Sequence, residues 1–378
     1  RIADTFGPIP YVNYGSSSLY DALDLVYNKF FEELDNAIEV LSNYVNGNVD
    51  AKLMSDYDCV YGGDVEKWVK FANTLRLRLA IRVSYANPTL AEAQAKKSME
   101  NMFGFIESKA ERAELSHNSL EYHHPLHEIA YNFNSGDCRP GATIVAYLNG
   151  LNDSRISSYF TAADDGEYHG VRIGITTSNM SNYQGNKISN LNINRASTPV
   201  VWMTAAESFF LRAEGALRGW DMGGTAKSFY EQGVRMSFEE NNAAGVDDYL
   251  ADHTSTPGAF ADNVGSDNYT FSSRVTPAWD DNAGFEAQLE RIITQKWIAN
   301  YPDGPEGWSE YRRTGYPEVI PVVRNSSNGT IDTQLQVRRL PYTRDEKINN
   351  ASGVASGISA LGGQDTGGTK LWWDKKSR

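Results

Sequence analysis

The segment DVEKWVKFANTLRLRLAIRVSYANPTLAEAQAKKSMENM, residues 64–102, predicts a pair of antiparallel helices. Its first helix has an apolar face with the three-and-four spacing of helix neighbours, comprising Trp68, Phe71, Ala72, Leu75 and Leu79. Arg78 and Arg82 share another face. Asn87-Pro88 breaks the run, and the returning helix has on one side Ala91, Ala95 and Met99. An apolar face needs a partner, so we expect the two helices to pack together.

A second segment of the same kind covers Val201–Glu240. Its first stripe comprises Trp202, Ala205, Phe209, Ala213 and Leu217, and its returning face comprises Ala226, Tyr230 and Val234. Small residues that let two helices approach, joined by a Gly-containing turn such as 220–224, are typical of tetratricopeptide-type helix pairs. We therefore predict a mainly α-helical fold of tetratricopeptide-like hairpins, with core positions for Trp68, Trp202 and Trp297.

The remaining chain predicts long irregular loops and a few short elements. We expect an extended entry over 1–14 and helices over 19–44, 142–148 and 285–300. Loops are expected over 161–197 and 245–282. The tail after Pro302 is expected to be irregular, with short strands at 317–323 and 334–340. Since no linker marks a boundary, residues 1–378 are predicted to form a single domain.

Composition narrows the class of function. The chain carries 35 basic and 48 acidic side chains, and its net charge of −13 repels nucleic-acid phosphates. We therefore expect no nucleic-acid partner. No stretch approaches the roughly 18 to 20 apolar residues that a membrane helix needs. The two cysteines, Cys59 and Cys138, could form one disulfide or remain two thiols.

Two kinds of chemistry are weakly indicated. Acids beside an aromatic ring in Asp303–Glu310 suit a glycoside hydrolase, but catalytic carboxylates usually come from separate elements that hold them facing each other. A histidine cluster places two members at metal-ligand spacing, although a proline interrupts it; its members are His117, His123, His124 and His127. We expect no catalytic residue, no metal site and no cofactor, except that a structural calcium or sodium ion would fit the acidic loops.

The same segments resemble the SusD/RagB family of Bacteroidetes outer-membrane nutrient-binding lipoproteins. The resemblance is carried by RIADTFGPIPY at 1–11, YGGDVEKWVKFANTLRLRLAIRVSY at 61–85, AEGALRGWDMGG within 206–238, RIITQKWIANYPDGPEGWSEYRRTGYP at 291–317, RRLPY at 338–342 and LGGQDTGGTKLWWDK at 361–375. It is weak over about 103–200 and 245–283, where members of the family vary to suit their ligands. These two variable regions are therefore expected to face the ligand.

The resemblance also implies a function and a location. It implies a non-enzymatic, lipid-anchored protein at the cell surface of the outer membrane. Such a protein captures a glycan, or in some members a peptide, and delivers it to a SusC-like TonB-dependent transporter. The chain opens on Arg1 without a signal sequence or lipidation cysteine, so we expect the full-length protein to have an N-terminal segment with that anchor. A secreted glycoside hydrolase and a helical-repeat adaptor for proteins are the alternatives.

Aromatic side chains in the loops are the candidate ligand-binding residues. A sugar presents an apolar C–H face ringed by hydroxyls, so a flat ring with Asp and Asn beside it is a complementary surface. Trp279, followed by two aspartates and an asparagine, is the first candidate, and loop packing is its alternative. The other candidates are Tyr131, Tyr168, Tyr183 and Tyr269.

Overall fold

A computed structural model describes residues 1–376 except 49, 51, 117–122, 134–137, 176, 194, 263 and 266, and omits the side chains of 177–179. The described α-helices are α1 (Ile2–Phe6), α2 (Leu23–Gly47), α3 (Val65–Arg82), α4 (Pro88–Met99), α5 (Pro125–His127), α6 (Ala142–Gly150), α7 (Ile156–Tyr159), α8 (Ala205–Leu217), α9 (Ala226–Glu240), α10 (Val246–Leu250), α11 (Phe285–Ala299), α12 (Gly304–Thr314), α13 (Arg344–Asn349) and α14 (Ala351–Leu361). A π-helical stretch covers Glu128–Asn132, and short 3₁₀ turns cover Lys109–Glu111, Thr177–Tyr183 and Gly185–Lys187.

The described strands form two small antiparallel pairs. Strand β1 (Ala113–Leu115) pairs with β4 (Val200–Met203), and β2 (Phe160–Thr161) pairs with β3 (Asn190–Leu191). Helices therefore dominate the described chain, and the prediction of a mainly α-helical fold with long loops and a few short strands is confirmed.

Side-chain caps set the ends of both hairpins. Asp64 caps α3 by accepting the Lys67 N–H at 3.3 Å, and Asn87 caps α4 ahead of Pro88. Thr204 caps α8 and Thr225 caps α9 in the same way. Each cap satisfies an N–H group that has no partner within the helix. Within this frame α8 packs on α9 and α11, and α3 packs on α2 and α4.

The start of the second hairpin differs from the prediction. Because Thr204 caps α8, residues 200–203 lie before the helix and pair as β4 with β1. Trp202 is therefore on a strand and is 36% exposed, so its predicted core position is wrong. Trp68 and Trp297 are only partly buried.

The fold contains a buried network of ion pairs that we call the charge core, comprising Arg78, Arg82, Glu207, Glu214, Lys296, Glu306, Glu310 and Arg313. These side chains join helices that are distant in sequence. Arg78 Nε lies 2.8 Å from Glu207 Oε1, and Arg313 Nη1 lies 2.7 Å from Glu214 Oε1. Burial opposes ionisation of Glu306, but the neighbouring cations, led by Arg82, lower its pKa to about 2. The arginine face of α3 is thus one of its buried faces.

Both ends of the chain contain helices where the sequence predicted none. Residues 2–6 form α1, because Pro8 follows that helix and does not interrupt it. After Pro302, the described chain forms α12, α13 and α14, and no strand is found at 317–323 or 334–340. Asp303 caps α12 by accepting the Glu306 N–H, with a proline in the first turn, which is a helix-start signal. The prediction that the chain after Pro302 is irregular was therefore wrong.

The C-terminal segment is held to the N-terminal helix. Trp373 is fully buried, and its indole N–H donates to Asp4 of α1 at 2.9 Å. No helix in the described part of the chain combines the length and apolarity needed to cross a membrane. Cys59 and Cys138 are both half-buried, and no disulfide joins them.

Candidate functional site

A cavity of about 340 Å³, which we call the loop cavity, opens between the end of α6 with the loops that follow it and a second loop segment. Its described lining comes from residues between 145 and 188 and between 258 and 264. Both stretches lie inside the regions expected to face the ligand. Tyr168 and Tyr183 lie in this lining with Asn149, His169 and Asp262. The structure therefore brings two of the five candidate residues together.

Close backbone contact holds the two segments against each other. Gly150 is the last residue of α6, and a Cβ atom added there would lie 2.0 Å from the backbone nitrogen of Gly258. Only glycine permits such an approach. The second segment therefore rests directly on the end of α6, and backbone atoms form this side of the loop cavity.

Asp262 organises one wall of the loop cavity. Its carboxylate accepts the Tyr183 hydroxyl at 2.8 Å and the backbone N–H groups of Val264, Gly265 and Asp267 at 3.1 to 3.2 Å. Burial opposes ionisation of Asp262, but these donors lower its pKa overall. Burial, with the Asp262 charge, raises the pKa of Tyr183 to about 12. The wall thus consists of a neutral phenol held by a charged carboxylate.

The opposite wall is fixed by polar contacts to the backbone. Asn149 Nδ2 donates to the carbonyl oxygen of Tyr168 at 3.0 Å, and the His169 N–H donates to Ser189 Oγ at 3.0 Å. The His169 ring lies with Nε2 at 2.7 Å from Asp165. Aromatic rings and orienting polar groups are thus positioned before any ligand arrives, an arrangement suited to non-covalent binding of a polar molecule.

A second cavity of about 200 Å³, the helix-end cavity, lies where α11 ends and β4 leads into α8. Trp202 lines it with its exposed ring, and Asn300, the C-cap residue of α11, lines it from inside. Asn300 is 6% exposed, yet neither its Oδ1 nor its Nδ2 has a hydrogen-bond partner among the described residues. Sequence reasoning missed both residues, because Trp202 fits a helix stripe and Asn300 looks like an ordinary helix end.

An apolar cavity of about 300 Å³ adjoins the helix-end cavity, and the two share Tyr301, Pro302 and Asp303. Trp297, which the sequence placed in the core, lines this apolar cavity. Part of its surface therefore faces this cavity, which explains its partial burial.

The sequence matches the model of the SusD-like family, described as Susd and RagB outer membrane lipoprotein, over residues 1–374. The chain belongs to this family. The resemblance to the SusD/RagB family that the sequence analysis described is thereby confirmed. By its family, the SusD-like protein is an outer-membrane lipoprotein. No curated protein matches the sequence.

Solved structures are similar to the SusD-like protein over nearly its whole length. A chitin-binding SusD homologue from Flavobacterium johnsoniae is 42% identical with a TM-score of 0.94, covering 99% of this chain and 78% of that one. A SusD homologue from Bacteroides uniformis is 42% identical with a TM-score of 0.91 and the same coverage. A SusD-like protein from Bacteroides thetaiotaomicron is 40% identical with a TM-score of 0.92, covering 100% of this chain and 78% of that one.

Family membership makes the SusD-like protein a binding protein and not an enzyme. The carboxylates that suggested glycoside hydrolysis have structural partners. Asp303 pairs with Arg1 and caps α12, Glu306 pairs with Arg82, and Glu310 accepts from Arg313 Nε at 3.0 Å. Since each acid is held by a cation, none is positioned as a general acid or base.

Two candidate tyrosines of the SusD-like protein lie outside the lining of the loop cavity. Tyr131 donates to the carbonyl oxygen of Leu191 at 2.7 Å and stacks on His127 with ring centroids 5.0 Å apart. Tyr269 donates to Glu318 at 2.8 Å. Both rings remain half-exposed, and their role in ligand binding stays a prediction.

Trp279 is 7% exposed, so most of its surface already contacts protein. Its ring packs on Tyr230 with centroids 5.3 Å apart, and its indole N–H donates to Asp281 at 3.0 Å. This placement favours the packing alternative over direct stacking on a sugar. A ligand role for Trp279 stays a prediction.

Among the described residues, no group of three or more His, Cys, Asp or Glu side chains is arranged to hold a metal ion. His127 Nδ1 lies 2.8 Å from the carbonyl oxygen of Ile193, and His124 Nδ1 accepts the Leu126 N–H at 3.1 Å. His117 lies outside the described residues. The described histidines of the cluster therefore make structural contacts, and a structural calcium or sodium ion stays a prediction.

Proposed function

We propose that this SusD-like protein captures a neutral glycan in the loop cavity and delivers it to a SusC-like TonB-dependent transporter. The proposal rests on where the residues that line the loop cavity lie in the sequence. The described residues of the loop cavity all come from the two regions, 103–200 and 245–283, that the sequence analysis expects to vary with the ligand. A site built from one end of a helix and the loops around it, on a helical framework, suits a family whose members bind different ligands.

The chemistry of the lining supports a sugar as the ligand. Tyr168 offers ring surface for the C–H face of a sugar, while Asn149, Glu167 and His169 offer polar atoms for its hydroxyls. Tyr183 is 6% exposed, which favours packing within the wall, as for Trp279. The volume of about 340 Å³ is near the lower limit of roughly 300 Å³ for ligand pockets. A short stretch of an oligosaccharide would therefore occupy it, with the rest of the chain outside.

Similarity to a solved structure supports a glycan as the class of ligand. The Flavobacterium johnsoniae homologue, 42% identical to this chain, is a chitin-binding protein. Chitin oligosaccharides therefore belong in the first panel of ligands, together with plant and host glycans. Capture needs no covalent step, so the bound glycan should be recovered intact.

Calorimetric titration with this panel tests capture. Tyr168→Ala should weaken binding of the cognate glycan about tenfold, because one ring stacked on a sugar supplies on the order of 1 to 2 kcal/mol. Tyr57→Ala is the matched control, since Tyr57 is 80% exposed and is not part of the loop-cavity lining. Equal affinity of wild type and Tyr168→Ala would show that the loop cavity is not the glycan site.

Delivery and the alternatives need separate measurements. The protein should co-purify with its SusC-like transporter from outer membranes in mild detergent. Incubation with the glycan panel should release no reducing sugar, and turnover would support the hydrolase alternative. Binding of soluble proteins without any glycan affinity would support the adaptor alternative.

A further inference from the structure

Residues 123–132, which we call the strap, lie against residues 190–196 and take part in the walls of two cavities. His124 lines the helix-end cavity, and Leu126 lines the apolar cavity beside it. Movement of the strap would therefore change access to both cavities at once.

Hydrogen bonds to backbone carbonyl groups hold both ends of the strap. At its start, the His124 N–H donates to the carbonyl oxygen of Ala196 at 2.8 Å. At its end, the Tyr131 hydroxyl donates to the carbonyl oxygen of Leu191 at 2.7 Å. Burial raises the pKa of Tyr131, so this phenol keeps its proton at neutral and acid pH, and the end of the strap does not respond to acid.

Two histidines at the start of the strap use their Nδ1 atoms in opposite ways. His127 Nδ1 lies 2.8 Å from the carbonyl oxygen of Ile193, and because a carbonyl oxygen only accepts, this nitrogen carries the proton. His124 Nδ1 accepts the Leu126 N–H at 3.1 Å, so this nitrogen has no proton and the ring is neutral. Protonation of His127 at Nε2 leaves its hydrogen bond intact. Protonation of His124 instead occurs at the atom that accepts the hydrogen bond and breaks it.

The surroundings of His124 on the strap and on the facing segment disfavour its charged form. Its side chain is 5% exposed, and burial, followed by the neighbouring His127, lowers its pKa. Glu128, an acid of the strap, is engaged by His123. Arg195 of the facing segment is exposed. A proton on His124 would therefore add a buried positive charge beside a second histidine.

The acids that share the helix-end cavity with His124 have partners of their own or lose their charge in acid. Glu207 pairs with Arg78, and Asp303 pairs with Arg1. Burial raises the pKa of Glu240 to about 7, so this carboxyl becomes neutral at lower pH. The charged and titratable residues that line this cavity with His124 are Arg112, Tyr159, Glu207, Glu240, Tyr301 and Asp303.

We propose that His124 makes the strap an acid-released latch over the helix-end cavity and the apolar cavity. At neutral pH the uncharged ring accepts the Leu126 N–H and the strap is closed. The closed strap holds a proton on His124 less tightly than the open segment does, so falling pH shifts the equilibrium towards the open form. The start of the strap then opens, while Tyr131 keeps its end attached.

Hydrogen exchange of the full chain at pH 7.5 and pH 5 tests the latch. In the wild type, the protection factor of the Leu126 amide should fall about fivefold at pH 5, the effect expected for loss of one helix cap. Because a protection factor is corrected for intrinsic exchange, the fall reports opening. His124→Asn keeps an acceptor for the Leu126 N–H but does not titrate, so it should remove the fall. Protection of α8 serves as the reference for global unfolding.

Two further measurements make the test specific to His124. His123→Gln removes the exposed histidine of the same strap together with its pair to Glu128, and it should keep the wild-type fall. Nitrogen-15 NMR of the wild type needs no variant: His124 Nδ1 should carry no proton at pH 7.5 and gain one in acid. Equal protection at both pH values, the same fall in His124→Asn, loss of the fall in His123→Gln or a protonated His124 Nδ1 at pH 7.5 would each overturn the latch.

Discussion

The charge core and the helix-end cavity both bury polar side chains but satisfy them in opposite ways. In the charge core, Arg313 is fully buried and pairs with Glu214 and Glu310 on two different helices. In the helix-end cavity, Asn300 is almost as deeply buried and has no partner among the described residues. The two regions are joined by Glu207, which lines the cavity and pairs with Arg78 in the core.

This difference separates polar groups that hold the scaffold together from a buried polar group that contributes no hydrogen bond to it. Removing one partner of a buried ion pair strongly destabilises the folded protein, because the remaining charge is left without water or a counter-ion. A buried amide without a partner instead costs stability, so an apolar side chain of similar size in its place should be tolerated. Loss of stability on mutation should therefore be largest in the charge core.

The largest expected effect tests the charge core. Arg313→Ala should lower the free energy of unfolding by about 3 kcal/mol, because Glu214 and Glu310 lose a shared buried cation and keep only Arg218 and Lys296 near them. Urea denaturation measures this change. Arg235→Ala is the control, since Arg235 pairs with Asp247 at the surface and should cost less than about 1 kcal/mol. Similar costs for both variants would remove the distinction between the core and the surface.

The next largest effect concerns Trp279. Because its ring is buried against Tyr230, Trp279→Ala should lower the free energy of unfolding by about 3 kcal/mol through the cavity it leaves. The packing alternative predicts unchanged glycan affinity per folded molecule, whereas the ligand role predicts binding about tenfold weaker. A melting curve beside a calorimetric titration gives both quantities. Weakened glycan binding with normal stability would instead show that Trp279 contacts the ligand.

The two regions should also respond oppositely to pH. Burial raises the pKa of Glu240 to about 7 against the neighbouring Arg112 and Lys109, whereas cations lower the pKa of Glu306 to about 2. The folded protein therefore holds the Glu240 proton more tightly than the unfolded chain, and stability from this group is lost as pH rises from about 4.5 to 7. Stability from Glu306 is lost as pH falls below about 4.5.

Glu240→Gln isolates the first of these pH effects. Between pH 5 and 7.5 the variant should lack a decline in unfolding free energy on the order of 2 kcal/mol that the wild type shows. Urea titrations at several pH values measure the slope. Identical slopes for the variant and the wild type would mean that Glu240 ionises normally in the folded protein.

The smallest effect tests the wall of the loop cavity. Tyr183→Phe removes one donor to Asp262 but leaves three backbone N–H groups, so it should cost about 1.5 kcal/mol of stability. The exposed Tyr57→Phe should cost nothing measurable. A loss equal to that of Arg313→Ala would show that the loop cavity is as much part of the scaffold as the charge core.

Local sequence signals predicted much of the framework. Asp64, Asn87-Pro88 and the repeated apolar spacing indicated both hairpins, and the residues that resemble the SusD/RagB family identified it from both ends of the chain. The same kind of signal was available but overlooked in Asp303–Glu306, where a capped helix start was taken for a loop. Two candidate tyrosines lie together because the regions expected to face the ligand do form one cavity.

The sequence alone determined the helical class, the hairpins and the family, because spacing and caps act between residues within about four positions of each other. Tertiary structure alone decided that Arg78 is buried, that Trp202 is exposed, that Trp279 is covered and that the Asn300 amide has no partner among the described residues. These outcomes depend on distant partners, such as Glu207, which follows Arg78 by 129 residues. Burial is a property of the packed chain, and no local sequence pattern specifies which distant residue will pack against a given side chain.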